Sequence, residues 1–179
     1  AKGDWIDGGA ADDLLIGTAA QDLLSGGTGN DLLIAGAGDD LMLGDATIVT
    51  GSTDWQVSRF IENNATLYRW TLSQGTTTAS DTLGGADVMY GGQGQDWLFG
   101  GAGDDLLDGG ADDDVLFGEA GNDVLLGGTG DDVINGDRAD LAENLQGSDW
   151  IDGGDGADRI WGMAGDDILI GGSGNDTIV

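Results

Sequence analysis

Apolar residues recur along this chain in groups of three, separated by six positions rich in Gly and Asp. Read from Gly8, the period is nine: units begin at Gly8, Gly17, Gly26 and Ala35, resume at Gly91 and run unbroken to Asn135, then run again from Gly153 to Val179. Three residues suit a short strand, in which the middle side chain points opposite to its neighbours. The middle position, eighth in each unit, reads Leu15, Leu24, Leu33, Met42, Met89, Leu98, Leu107, Leu116, Leu125, Ile134, Ile151, Ile160, Leu169 and Ile178. All are apolar, as the interior of a thin two-sheet fold requires. Positions seven and nine are predicted to face outward, yet many are large and apolar. Trp97, Phe99, Val115 and Phe117 share one face with Leu41 and Leu43, and the other face carries Leu14, Ile16, Leu32, Ile34, Val124, Leu126, Ile168 and Ile170.

Between the strands lie turns of one composition. Its fullest copies are Gly26-Gly27-Thr28-Gly29-Asn30-Asp31, Gly91-Gly92-Gln93-Gly94-Gln95-Asp96 and the segments 100–105, 127–132, 153–158 and 171–176. Glycines at positions one, two and four permit left-handed backbone and let carbonyl oxygens converge, and Asp at position six adds a carboxylate. Such an oxygen cluster suits Ca²⁺, which takes six to eight oxygen ligands in flexible geometry. Position five is Asp or Asn in many units (Asp12, Asn30, Asp39, Asp104, Asp113, Asn122, Asp131, Asp166, Asn175) and reads as a turn-former bonding local backbone rather than as a direct ligand.

These residues resemble the RTX family, the haemolysin-type calcium-binding repeats of pattern G-G-x-G-x-D-x-U-x. The resemblance implies an all-β fold: a right-handed parallel β-roll in which two nonapeptides make one coil, so that stacked turns lie eighteen residues apart. It also implies calcium ions trapped between successive turns. Position six then falls into two columns, one of Asp4, Asp22, Asp40, Asp96, Asp114, Asp132, Asp158 and Asp176, the other of Asp13, Asp31, Asp87, Asp105, Asp123, Asp149 and Asp167. The candidate ligand set is these carboxylates together with positions one and three of the best turns: Gly26 and Thr28, Gly91 and Gln93, Gly100 and Ala102, Gly127 and Thr129, Gly153 and Asp155, Gly171 and Ser173. Turns without glycine at position four (Ala11, Ala20, Asp112) are expected to bind less well, which leaves roughly eight to eleven Ca²⁺ ions.

Two insertions interrupt the period. The first follows Gly44-Asp45 and ends at Gly85-Ala86-Asp87; the second follows Gly136-Asp137 and ends at Gly147-Ser148-Asp149. Both enter at position three and leave at position four, so the chain reads as one roll over 1–179 with two loops grown out of calcium turns. In 46–84, alternation in Trp55-Gln56-Val57-Ser58 and in Leu67 to Leu72 predicts a β-hairpin flap. Its Trp55, Phe60, Tyr68, Trp70, Arg59 and Arg69 suit either a cover for the roll's outward face or a sugar or protein site. If it is a cover, replacing 46–84 by a short glycine linker leaves calcium-driven folding intact but exposes the face of Trp97, Phe99 and Phe117. Hydrophobic-dye binding by the shortened chain checks this, and a dye-silent monomer assigns the insertion to partner binding instead. Residues 138–146 read as a short loop or helical turn.

Charge sharpens the reading. Asp and Glu number 34 against 5 Lys and Arg, a formal charge of -29 that resists compaction, so neutralising charge must come from outside the chain, as metal ions or as a basic partner. A basic surface for nucleic acid is absent. With no Cys and no His, there are neither disulfides nor soft metal ligands. No apolar run is long enough to span a membrane, and Ala1-Lys2-Gly3-Asp4-Trp5 shows no signal-peptide pattern. Catalysis lacks its usual residues, since Lys2 is the sole lysine and no serine lies in a nucleophile setting, so the chain is not expected to be an enzyme.

Repeat, charge and resemblance together point to a calcium-binding module that folds on Ca²⁺ and belongs to a larger secreted bacterial protein, a toxin, adhesin or exoenzyme. The resemblance implies type I secretion, a location outside the cell or on its surface, and neighbouring domains of a parent chain as partners. Ending on a repeat at Thr177-Ile178-Val179, the sequence reads as a fragment. The alternative is an adhesin module that holds a polysaccharide or cell surface through the 46–84 insertion. Ice binding would need outward threonine columns, and only Thr177 fits one.

Overall fold

The computed structural model describes residues 3–50, 55–62, 65–72, 75–79, 84–139, 141–142 and 145–179, with the backbone alone for 46–79. Strands β1 (Trp5–Ala10), β2 (Leu14–Ile16), β3 (Leu23–Thr28), β4 (Leu32–Ala37) and β5 (Leu41–Leu43) precede the first insertion. Within it lie β6 (Ala46–Thr50), β7 (Trp55–Glu62), β8 (Ala65–Leu72) and β9 (Gly75–Ala79). The long central run supplies β10 (Val88–Gln93), β11 (Trp97–Ala102), β12 (Leu106–Ala111), β13 (Val115–Ala120), β14 (Val124–Thr129) and β15 (Val133–Asp137). Last come β16 (Trp150–Asp155), β17 (Arg159–Trp161), β18 (Ile168–Ile170) and β19 (Thr177–Ile178).

The repeat strands alternate between two parallel sheets. One has the order β1-β3-β5-β11-β13-β15-β17-β19 and the other β18-β16-β14-β12-β10-β4-β2. This is a parallel β-roll with two nonapeptides per coil. Strands pair at a spacing of one coil, as in Leu24 against Met42. The register passes beneath both insertions: Leu33 pairs with Met89 and Met42 with Leu98 across the first, and Leu125 with Ile151 across the second.

Between the sheets runs a single file of position-eight side chains. From Leu15 to Ile160 they form one buried cluster, with Leu169 partly buried beside it and Ile178, in the last coil, 47% exposed. Each coil therefore contributes only two core residues per eighteen. Outward side chains of the inner coils shelter one another along the strand ladder: Phe99 and Phe117 stack at 5.1 Å and Trp97 lies 6.2 Å from Phe99. In the end coils Leu14, Ile16 and Ile168 are exposed.

Residues 48–78 form a separate compact unit, in which β7 and β8 pair antiparallel from Trp55–Leu72 to Glu62–Ala65. The side chains of Trp55, Arg59, Phe60, Tyr68, Arg69 and Trp70, on which the cover and partner readings turn, lie outside the described residues. The second insertion folds onto the roll. Arg138 lies 3.7 Å from Glu119, Leu141 and Leu145 pack on Ala102 and Ala120, and Gln146 bridges to Gly121. Two turns close it, with Leu141 N–H donating to the Arg138 carbonyl and Leu145 N–H to that of Ala142.

Candidate metal centre

Beyond the first Asp of each column, the two carboxylate oxygens of position six have different surroundings. Oδ1 accepts the backbone N–H of the position-six Asp one coil earlier, and this bond recurs at every step of both columns. In the first it runs from Asp4 to Asp22 and on through Asp40, Asp96, Asp114, Asp132 and Asp158 to Asp176. In the second it runs from Asp13 through Asp31, Asp87, Asp105, Asp123 and Asp149 to Asp167. In the central coils the length holds near 2.8 Å, as at Asp87 to Asp105 and at Asp96 to Asp114.

Oδ2 is left over. It is buried and without a hydrogen-bond partner among the described residues in eleven position-six Asp: Asp13, Asp31, Asp40, Asp87, Asp96, Asp105, Asp114, Asp123, Asp132, Asp149 and Asp158. A buried, unpaired carboxylate oxygen is among the costliest groups a fold can hold. Main-chain carbonyl oxygens lie close to it. A Cβ placed on Gly100 would sit 2.3 Å from Asp105 Oδ2 and 2.6 Å from the Gly118 carbonyl oxygen of the next coil; at Gly127 the corresponding oxygens, of Asp132 and Gly153, are both at 2.4 Å. Glycine at position one leaves room for a carboxylate of its own turn and a carbonyl of the next, which converge beside it; the repeat departs from this only at Ala35. The position-four glycine answers a different demand: Gly103 has φ of 138°, and a Cβ there would fall 2.0 Å from the Gly85 carbonyl oxygen.

Burial without compensation raises these pKa values. Loss of hydration is the largest cause throughout, opposed by the N–H bond from the preceding coil and reinforced by neighbouring carboxylates. Asp114 and Asp123 are pushed up to about 9, Asp87 to about 8, and Asp96, Asp105, Asp132 and Asp149 to about 7. Asp40 reaches about 6, and Asp31 and Asp158 are raised. A divalent cation between turns would remove both causes. The donors are all oxygen, and no point among the described residues gathers three carboxylates, so most of an ion's shell would be main-chain carbonyl. Hard, oxygen-rich and weakly charged ligation of this kind fits Ca²⁺.

Not every candidate is equally placed. Asp22 Oδ2 is taken by the N–H and hydroxyl of Thr18, which stands where most turns have glycine, so this oxygen is spent within its own turn. Of the residues at position four that are not glycine, Ala11 and Asp112 also adopt positive φ, at 88° and 80°. Position-three carbonyls, including Thr28, Gln93, Asp155 and Ser173, accept the position-four N–H of the preceding coil. Replacing Asp123 by Ala is accordingly expected to raise the calcium midpoint of folding several-fold, and replacing Asp22 far less; equal midpoints in a titration followed by circular dichroism would contradict this grading.

Position five behaves differently from its sequence reading. Its side chains bond the backbone of the next coil, not local backbone: Asp104 accepts from Asn122 N–H at 2.8 Å, Asn122 from Ser148 and Asp131 from Ala157, each at 2.9 Å. These bonds point up the stack while the position-six bonds point down it. Sequence reasoning also passed over two buried acids, Asp45 and Asp137, at position two of the interrupted turns. The signal was in view, since both insertions follow Gly-Asp where Gly-Gly is the rule.

A parallel roll whose turns stack buried, cation-seeking carboxylates defines a metal-binding solenoid. The family model of the RTX calcium-binding nonapeptide repeat, which comprises four copies of the nonapeptide, matches five segments, residues 1–23, 16–47, 81–116, 108–140 and 145–178, and the chain belongs to this family. No curated protein matches it. It is thus a calcium-binding repeat module, of a kind that occurs in secreted bacterial proteins. Among the described residues no helix is long and apolar enough to cross a membrane.

Proposed function

We propose that the module folds when Ca²⁺ occupies the two columns, and that it serves a larger secreted protein as a part that stays unfolded inside the cell and orders outside it. The observation that carries this reading is the set of eleven orphaned Oδ2 atoms inside a chain of charge -29. Binding free energy spent on such atoms is folding free energy, because the sites exist only when the coils are stacked. The position-six carboxylates from Asp13 to Asp176, with main-chain carbonyls of the glycine turns, are the proposed ligands, and Asp22 contributes least. A role in secretion suits a chain without Pro or Cys, which meets no slow isomerisation or oxidation step on folding. Nothing in this role requires catalysis by the module itself.

Counting ions tests the proposal. Equilibrium dialysis with metal analysis is expected to find roughly eight to eleven Ca²⁺ per chain, each in an oxygen shell. Three or fewer would mean that most orphaned carboxylates are not ligands. Mg²⁺ at the same concentration should neither fill the sites nor order the chain, because it keeps its waters and demands a smaller, nearly octahedral shell.

A further inference from the structure

In the uninterrupted turns the position-four N–H donates to the position-three carbonyl of the next coil: Gly94 to Ala111 at 3.1 Å, Gly103 to Ala120 at 2.8 Å, Gly130 to Asp155 and Gly156 to Ser173 at 2.8 Å. In the two interrupted turns a side chain takes this N–H instead. Gly85, where the chain re-enters the roll after the first insertion, donates to Asp45 Oδ1 at 3.2 Å; Gly147, where it re-enters after the second, donates to Asp137 Oδ1 at 3.1 Å. The partners are 40 and 10 residues apart in sequence, yet the bond is the same. Asp45 Oδ2 also accepts the N–H of Ala102 in the next coil at 2.7 Å. Asp137 Oδ2, by contrast, is buried without a hydrogen-bond partner among the described residues, so its clasp rests on Oδ1 alone. Both side chains are buried, at 6% and 0% exposure.

From this geometry we infer that Asp45 and Asp137 are clasps: positioning residues that tie the leaving strand of an interrupted calcium turn to its returning strand and keep the roll in register whatever the length of the loop between them. The placement explains the choice of residue. At position two a glycine can only present its main chain, which in a continuous turn suffices because position three holds position four in place covalently. Once a loop is inserted after position three that restraint is lost, and a short acceptor side chain at position two is the nearest group able to restore it. Asp87 and Asp149, two residues beyond the clasped glycines, carry orphaned Oδ2 atoms, so the clasp sets where those carboxylates stand.

Both clasps lie on one edge of the roll. Position two on that edge runs through Gly101, Glu119 and Asp137, paired strand to strand, with Asp45 beside Gly101. Both insertions therefore leave from the same row of turns. The bonds run between groups of the chain itself, so the inference holds apart from the number or identity of the ions.

A thermodynamic cycle tests it, in whatever calcium concentration keeps the chain folded. The shortened background replaces residues 138–146 by a single Thr, which restores a continuous nonapeptide. Asp137→Gly is expected to lower the melting temperature of the full chain by roughly 2–4 °C. In the shortened background the same change should leave it unmoved or raise it, since glycine there completes a regular turn. An equal drop in both backgrounds, or none in either, overturns the clasp. Hydrogen exchange supplies the second reading should the glycine variant fold poorly. Gly147 N–H should stay protected in Asp137→Asn, which keeps an acceptor oxygen, and exchange on the order of tenfold faster in Asp137→Ala. Gly85 should be unaffected by either, and should respond to Asp45→Ala in the same way. Equal protection of Gly147 in wild type, Asn and Ala variants rejects the assignment.

Discussion

Stripped of calcium at neutral pH, the chain is expected to lose its β-sheet circular dichroism and return to it in one cooperative step as Ca²⁺ reaches the range of extracellular modules, about 10⁻⁴–10⁻³ M. Two features of the roll make this effect large. The core is a single file of side chains, two per coil, which is little apolar burial for eighteen ordered residues. Against it stand the eleven Oδ2 atoms that have lost water and gained no protein partner. A coil contacts only its neighbours above and below, so a coil that loses its ions also withdraws the template from the next. The transition should therefore be sharper than independent filling of many sites would give. A spectrum that chelator leaves unchanged would show that the core holds the roll unaided.

Acid should partly replace the metal. Asp114 and Asp123 have folded-state pKa values of about 9, Asp87 about 8 and four further Asp about 7, through lost hydration first and neighbouring carboxylates second. An unfolded Asp titrates at about 3.9. Between these values the rolled state binds more protons than the unfolded chain, so the stability of the calcium-free roll falls as pH rises across the window from about 4 to about 9 and is fully present only below it. Calcium-stripped protein that is disordered at pH 8 should accordingly regain β structure near pH 5. With calcium present the trend reverses, because protons and ions compete for the same oxygens, and the calcium midpoint should climb as pH drops from 7 to 5. A calcium-free spectrum that does not change between pH 8 and pH 5 would contradict the buried placement of these carboxylates.

The sequence by itself determined the nonapeptide strands, the apolar file at position eight, the two Asp columns and the continuity of the roll under its insertions. These were legible because they are periodic: a side chain's face follows from its place in the apolar triplet, although the strands of the inner coils run on into the glycine turn to six residues, and stacking equal coils carries Asp31 to Asp87 and Asp96 to Asp114 whatever lies between. The tertiary structure alone decided what each oxygen does. That Oδ1 is committed to the neighbouring coil and Oδ2 is left unpaired, that Thr18 diverts Asp22, and that position five bonds upward along the stack all depend on how atoms are brought together in the folded roll, and residue type does not encode such direction. The same holds for Asp45 and Asp137. As letters they are two more acids in an acidic chain; only the close approach of Gly85 and Gly147, 40 and 10 residues away, gives their carboxylates something to hold.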